Sequence, residues 1–229
     1  MTHEERPEPN HDAVNDRAIV ILGSRSPRRR ELLASIVGQD RMRVLPPSSP
    51  DEPGFAGLND DAKIEQQLKR IVQFKHDDVL RQFVRATPAS SRQNAVFIVA
   101  ADTIVIASGP EQSRVVLGHP DPQHWADDVR SWFRRWLSDQ THEVWTGLHL
   151  SAGERCVSFV TKSKVTFCDV DEERLEWYIS TGESPGKAGG YAIQGHGAAF
   201  VTYLSGSLTN VIGLPVMETL SGLASLGWK

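Results

Sequence analysis

The chain has 229 residues, with 25 Lys and Arg against 29 Asp and Glu for a net charge of −4, 39% hydrophobic residues and two cysteines. A chain of this length buries roughly 70% of the surface its unfolded form exposes, so it needs neither a disulfide nor a structural zinc, and one domain or two lobes sharing a sheet is expected. Mild acidity excludes a protein that grips a nucleic-acid polymer over its whole surface, and no apolar run approaches the ~20 residues of a membrane span.

Residues 1–17 are polar, carry Pro7 and Pro9 and hold no apolar stretch of the kind a secretory signal needs, so they read as a disordered tail. From residue 18 strand and helix patterns alternate without a fixed-period repeat, which predicts an α/β fold over residues 18–229. Residues 18–23 form a short apolar strand. Ser26 and Pro27 then supply an N-cap and a first helical residue, with Gly38 closing that helix. A Pro-, Ser- and Gly-rich loop covers 46–57. The stretch 59–83 sets Ile64, Leu68, Ile71, Val72, Val79, Leu80 and Phe83 at helical spacing and predicts the longest helix.

Residues 95–101 are an unbroken apolar strand ending in Asp102 and Thr103, and its two-sided burial marks a central strand. A hairpin turn follows at 108–113. Asp121 and Pro122 open a helix whose buried face is Trp125, Val129, Trp132, Phe133, Trp136 and Leu137, so the tryptophans here, with Trp145, read as core. Residues 141–150 and 155–170 pair as strands, 171–181 form a helix stopped by Gly182, and 198–204 form a last strand. Cys156 and Cys168 lack the companions of a four-ligand metal site and read as inert, buried thiols of a cytoplasmic protein.

Four places could carry chemistry. The segment Ser24-Arg25-Ser26-Pro27-Arg28-Arg29 lies where a strand feeds a helix N-terminus, whose orphan N–H groups and dipole suit phosphate. Arg29 projects from the helix's buried side and so needs an anionic partner or ligand; the alternative is a surface arginine cluster paired with Glu31. Lys75 interrupts the apolar stripe of the long helix, either as a site residue or as a snorkelling stem. Asp102 sits at a strand end, where a carboxylate can hold a cation or activate water, or else merely shape a turn. The six glycines of 182–197 let a backbone approach a ligand beside Lys187 and Gln194, or simply make a flexible loop.

Taken in order, these segments resemble the Maf family of nucleoside triphosphate pyrophosphatases. The motifs are Ser24-Arg25-Ser26-Pro27-Arg28-Arg29 with Glu31-Leu32-Leu33, the acidic pair Asp51-Glu52, Lys75, Ala101-Asp102-Thr103-Ile104-Val105, and His142-Glu143-Val144 with Thr146-Gly147. Gly182-Glu183, Lys187-Ala188-Gly189-Gly190-Tyr191, Ile193-Gln194-Gly195 and Asn210-Val211-Ile212-Gly213-Leu214-Pro215 complete the series. The resemblance implies an elongated mixed β-sheet flanked by helices, with a cleft between two lobes, and cleavage of a nucleoside triphosphate to monophosphate and pyrophosphate. It implies Asp102 as proton acceptor, with Arg29 and Lys75 beside it, and Ser24, Arg28, Thr103, His119, Lys187 and Gln194 as substrate contacts. A divalent cation, Mg²⁺ or Mn²⁺, would be held by Asp102 and Glu52, and whether Asp102 acts as base or metal ligand stays open. The Ile-Gln-Gly form is similar to the branch acting on dTTP and UTP. A preference for a modified purine such as 7-methyl-GTP, or a nucleotide-binding regulator with weakened catalysis, are the alternatives. The family also suggests a homodimer.

The chain departs from the family pattern at His119, where Gly118-His119-Pro120 replaces Lys-Pro, and at Gly186, which replaces an Asp. Arg25 and His76 replace small residues, and Ser207-Leu208 lacks an aromatic. An imidazole at 119 titrates near ~6.5 when unperturbed, so activity is expected to depend on pH through His119.

Overall fold

The structure is a computed structural model that describes residues 18–48, 53–88, 95–109, 111 and 113–229. The expected tail at 1–17 and the cation ligand Glu52 lie outside the described residues. A seven-stranded sheet runs in the order β2-β1-β3-β5-β6-β7, with β4 also paired to β3. The strands are β1 (Ile19–Gly23), β2 (Met42–Val44), β3 (Val96–Ser108), β4 (Arg114–Leu117), β5 (Thr141–Ala152), β6 (Arg155–Phe167) and β7 (Val201–Ser205). β1 pairs in parallel with both β2 and β3, and all other pairings are antiparallel.

The long strand β3 organises the molecule. One of its edges is covered throughout by β5, from Phe97 opposite Ala152 to Ile106 opposite Glu143. The other edge is shared: β1 pairs with residues 96–100 and β4 with 105–108. Residues 101–104 are left between the two, so the sheet forks there, and the fork is the opening between two lobes. The expected apolar strand does not stop at Asp102; it continues to Ser108. Polar Asp102 and Thr103 are tolerated mid-strand because their side chains meet partners across the cleft.

Helix α2 (Asp61–Ala86) lies along one face and bridges both lobes. It packs Ile64 and Leu68 against Ile104, Ile106 and Trp145, and Val79 against Ile21 and Ile98. Added to Gly147, a Cβ would lie 2.8 Å from Leu68 Cγ, so the missing side chain lets α2 approach β5 closely. The opposite face is covered in the first lobe by α1 (Pro27–Val37) and α6 (Val216–Ser225), which bury Leu33, Val37 and Leu223 against Val20, Val99 and Leu148. In the second lobe it is covered by α3 (Trp125–Trp132), the π turn Phe133–Leu137 and α4 (Glu172–Ser180). Trp145 is fully buried, whereas Trp125, Trp132 and Trp136 pack half-buried against that second core. Both cysteines are free, but Cys156 is exposed on β6 instead of buried. The short helix α5 (Leu208–Ile212) returns to the sheet beside the fork.

Candidate active site

The first wall of the cleft is the turn from β1 into α1. Ser26 caps the helix by accepting the Arg29 N–H at 3.4 Å, and Pro27 occupies its first turn, where a missing N–H costs nothing. Arg29 points inward as its spacing predicts. It donates from Nε to the Gly213 carbonyl at 2.9 Å, from Nη1 to Ser24 Oγ at 3.2 Å and from Nη2 to Thr103 Oγ1 at 3.0 Å. The anionic partner expected on burial grounds is thus joined or replaced by three neutral oxygens, which fix the guanidinium between α1, β3 and the end of α5.

The second wall is α2. Lys75 Nζ lies 2.6 Å from Asp102 Oδ1, with the two side chains only 10% and 13% exposed. This ends the snorkelling alternative for Lys75, whose ammonium reaches a carboxylate and not bulk water. It also ends the turn alternative for Asp102, which is an interior residue of β3. Successive strand side chains face opposite sides, so Asp102 faces α2 while Thr103 faces Arg29 and lies 3.0 Å from Thr146 Oγ1.

The third wall comes from the glycine-rich segment after α4. Lys187 Nζ donates to the Glu183 carbonyl, and Gly189, at φ +67, is packed so tightly that a Cβ would lie 2.8 Å from Val105. Partial burial, followed by the nearby Arg28 guanidinium, lowers the Lys187 pKa from its ordinary value. Burial lowers that of Arg28 as well, against the pull of Glu183 and Glu31. Two cations depressed in one cleft are a cost that a bound polyanion relieves.

These walls enclose a cavity of about 370 Å³ lined by Ser24, Arg28, Arg29, Lys75, Asp102 and His119 among others. A smaller one of about 40 Å³ adjoins it, sharing Arg28, Arg29 and His119 and adding Thr103, Lys187 and Gln194. Among the described residues, all nine candidate site residues (Ser24, Arg28, Arg29, Lys75, Asp102, Thr103, His119, Lys187 and Gln194) therefore line one or the other of these adjoining cavities. Among the described residues no group of three or more His, Cys, Asp and Glu could hold a metal. Asp102 alone is a donor set that suits Mg²⁺ only when phosphate oxygens complete the shell, a common arrangement at nucleotide sites.

The departures from the family pattern also find places. Gly186 lines the larger cavity at φ +69 with nothing within 4 Å of an added Cβ, so space is ample and the backbone favours glycine. Ser207 caps α5 by accepting the Asn210 N–H at 3.2 Å, and Leu208 points outward. Arg25 donates to the Pro47 carbonyl at 3.2 Å. His76 is buried, with Nε2 2.7 Å from Ser151 Oγ.

Residue-by-residue reading missed the parts that hold these groups in place. Thr146, noted in the sequence only as part of the Thr146-Gly147 motif and given no role there, reaches Thr103 and the Asn210 carbonyl because the cross-strand register sets it opposite Thr103. Glu183, noted only within the Gly182-Glu183 motif, gathers donors from 13 and 14 residues downstream, a role no local pattern announces.

Comparison with known proteins adds an independent finding. The family described as Maf-like protein matches residues 19–226. The chain is 32% identical over 211 residues to a dTTP/UTP pyrophosphatase of Albidiferax ferrireducens, covering 92% of this chain and 98% of the relative. It is 34% identical over 211 residues, with the same coverage, to a dTTP/UTP pyrophosphatase of Pyrococcus horikoshii. A third relative of that description, from Pseudoalteromonas atlantica, is 36% identical over 201 residues, 88% of this chain and 93% of its own.

Proposed function

The chain belongs to the Maf-like protein family, and from that premise we propose that it hydrolyses dTTP and UTP to the nucleoside monophosphate and pyrophosphate. The observation that carries this reading is the convergence of Arg28, Arg29 and Lys75 with the Asp102 carboxylate on one cleft. A triphosphate is strongly anionic, and its hydrolysis needs alignment and charge stabilisation more than covalent catalysis.

In this reading the triphosphate occupies the larger cavity, with Ser24, Arg28, Arg29 and His119 around its oxygens, and the base end lies toward Thr103, Lys187 and Gln194. Gln194 suits a pyrimidine edge because its amide both donates and accepts. Water attacks the α-phosphorus, the bond to the bridging oxygen breaks, and pyrophosphate leaves with the electron pair. Asp102 orients that water and accepts its proton, while the Lys75 ammonium holds the carboxylate in place. A divalent cation bound with the nucleotide, through Asp102 and phosphate oxygens, would supply charge neutralisation.

The test is pyrophosphate release from a panel of nucleoside triphosphates, with and without added Mg²⁺ or Mn²⁺. Turnover of dTTP and UTP above all others is the expected result. Preference for 7-methyl-GTP would overturn the base assignment, and tight nucleotide binding without turnover in either metal would overturn the enzymatic one.

A further inference from the structure

Glu183 belongs to the glycine-rich segment that forms the third wall of the cleft, and the proposed reaction leaves its carboxylate unused. Its carboxylate, 12% exposed, collects donors from the far end of the segment that carries Lys187 and Gln194. Oε2 accepts the His196 N–H at 2.8 Å and Oε1 the Gly197 N–H at 3.0 Å. The Tyr178 hydroxyl lies 3.1 Å from Oε1, and His196 Nδ1 lies 3.3 Å from Oε2. At the near end, the Glu183 carbonyl accepts from Lys187 Nζ. One residue thus ties residue 187 and residues 196 and 197 together, with Gln194 only two positions before the clamped backbone.

Gly195 shows how closely the clamp is drawn. Its φ of −118 is open to any residue, yet a Cβ there would lie 2.0 Å from Glu183 Oε2. The carboxylate stands where a side chain would be, so any larger residue at 195 must displace it. The acid is also held ionised: burial pushes its pKa up, but the Gly197 and His196 N–H groups pull it net below its ordinary value. Charge-assisted bonds to backbone N–H groups are among the stronger hydrogen bonds a buried carboxylate makes.

We infer that Glu183 is a positioning residue for base selection, its carboxylate fixing the backbone that presents Gln194 and its carbonyl holding Lys187. The inference rests on the proposed nucleotide chemistry of the cleft but not on turnover. Glu183→Gln keeps the size of the side chain while turning one acceptor into an NH₂ that faces an N–H, so one arm of the clamp opens. Gly195→Ala displaces the same carboxylate from the opposite side without changing its charge.

Both variants and the wild type are compared by calorimetric binding of dTTP and dGTP, by kcat and KM for dTTP, by inhibition with inorganic triphosphate, and by urea unfolding. Each variant is expected to raise KM and Kd for dTTP on the order of tenfold and to reduce the dTTP-over-dGTP binding ratio similarly. kcat, and inhibition by inorganic triphosphate, which carries no base, are expected to change less than about threefold. A loss of stability or of active fraction with the binding ratio unchanged would make Glu183 merely structural and overturn the inference. Absence of turnover in the wild type with an altered binding ratio in the variants would overturn the enzymatic reading alone. Absence of nucleotide binding in the wild type would overturn both.

Discussion

His142 should make the fold sensitive to mild acid. The ring is 1% exposed, packed edge-on against Phe167 and Tyr191 at centroid distances of 4.8 and 5.4 Å. Nε2 meets the Tyr191 hydroxyl at 2.8 Å, while Nδ1 has no hydrogen-bond partner among the described residues. Protonation would therefore place a charge in an apolar core with one donor unsatisfied, and burial depresses the pKa from 6.5 to about 3. A histidine depressed in the fold contributes stability that is present above its unfolded pKa and is lost as pH falls toward the folded one. Linkage across these two values costs about 2 kcal/mol at pH 5 and almost nothing at pH 7.5. With a urea dependence of roughly 2 kcal/mol per molar, the unfolding midpoint should fall by about 1 M between pH 7.5 and 5. His142→Gln has no proton to gain, and the other titrating groups cancel when the variant's fall between the two pH values is subtracted from the wild type's. The variant should start less stable and fall by about 1 M less than the wild type. Parallel falls would refute the claim that His142 is held neutral. Tyr191 lines the smaller cavity, so nucleotide binding should weaken over the same pH window.

The catalytic assignments make further demands. Asp102→Asn should fold normally by thermal melting and lower kcat for pyrophosphate release by about 10²- to 10⁴-fold, the range for losing a general base; near-normal kcat would remove Asp102 from the mechanism. Arg29→Lys retains the charge but cannot span Gly213, Ser24 and Thr103 at once, so KM should rise and unfolding free energy should fall by about 1–2 kcal/mol. An unchanged KM would leave it a structural tie only. His119 lines both cavities, so His119→Ala should weaken inhibition by inorganic triphosphate several-fold with little change in urea unfolding; unchanged inhibition would remove it from the site. Gly147→Ala should destabilise by about 1–3 kcal/mol through the 2.8 Å approach to Leu68, read by urea unfolding.

Much of this site was legible in the sequence because it rests on local signals. The Ser26 cap, Pro27 and the inward bearing of Arg29 follow from helical geometry, and Lys75 stood out as a cation in an apolar stripe. What escaped depends on pairing at a distance. Asp102 and Thr103 looked like the end of a strand because two polar residues normally end an apolar run. They lie mid-strand only because Lys75 and Arg29 arrive to satisfy them. β2 and β4 have only three and four residues, too few for a periodic pattern. Burial called for an anion beside Arg29 but could not announce the Gly213 carbonyl and the Ser24 and Thr103 hydroxyls, which reach its N–H donors from distant segments.

The fork in β3 explains how those two adjacent residues reach opposite sides of one cleft. An uninterrupted neighbour on that edge would cover residues 101–104, and a cleft could reach only one face of the sheet. Since β1 releases the edge at Ala100 and β4 takes it up again at Val105, the opening passes from the α2 face to the α1 and α5 face. Asp102 then serves the first face with Lys75, and Thr103 serves the second with Arg29. Their alternation is enforced by continuous pairing with β5 on the other edge, where Asp102 lies opposite Gly147 and Thr103 opposite Thr146. A one-residue slip would exchange the two faces. The same slip taken up by β5 instead of β3 would set Thr146 against α2 where Gly147 now admits Leu68, so the packing that seats α2 also guards the register that divides Asp102 from Thr103.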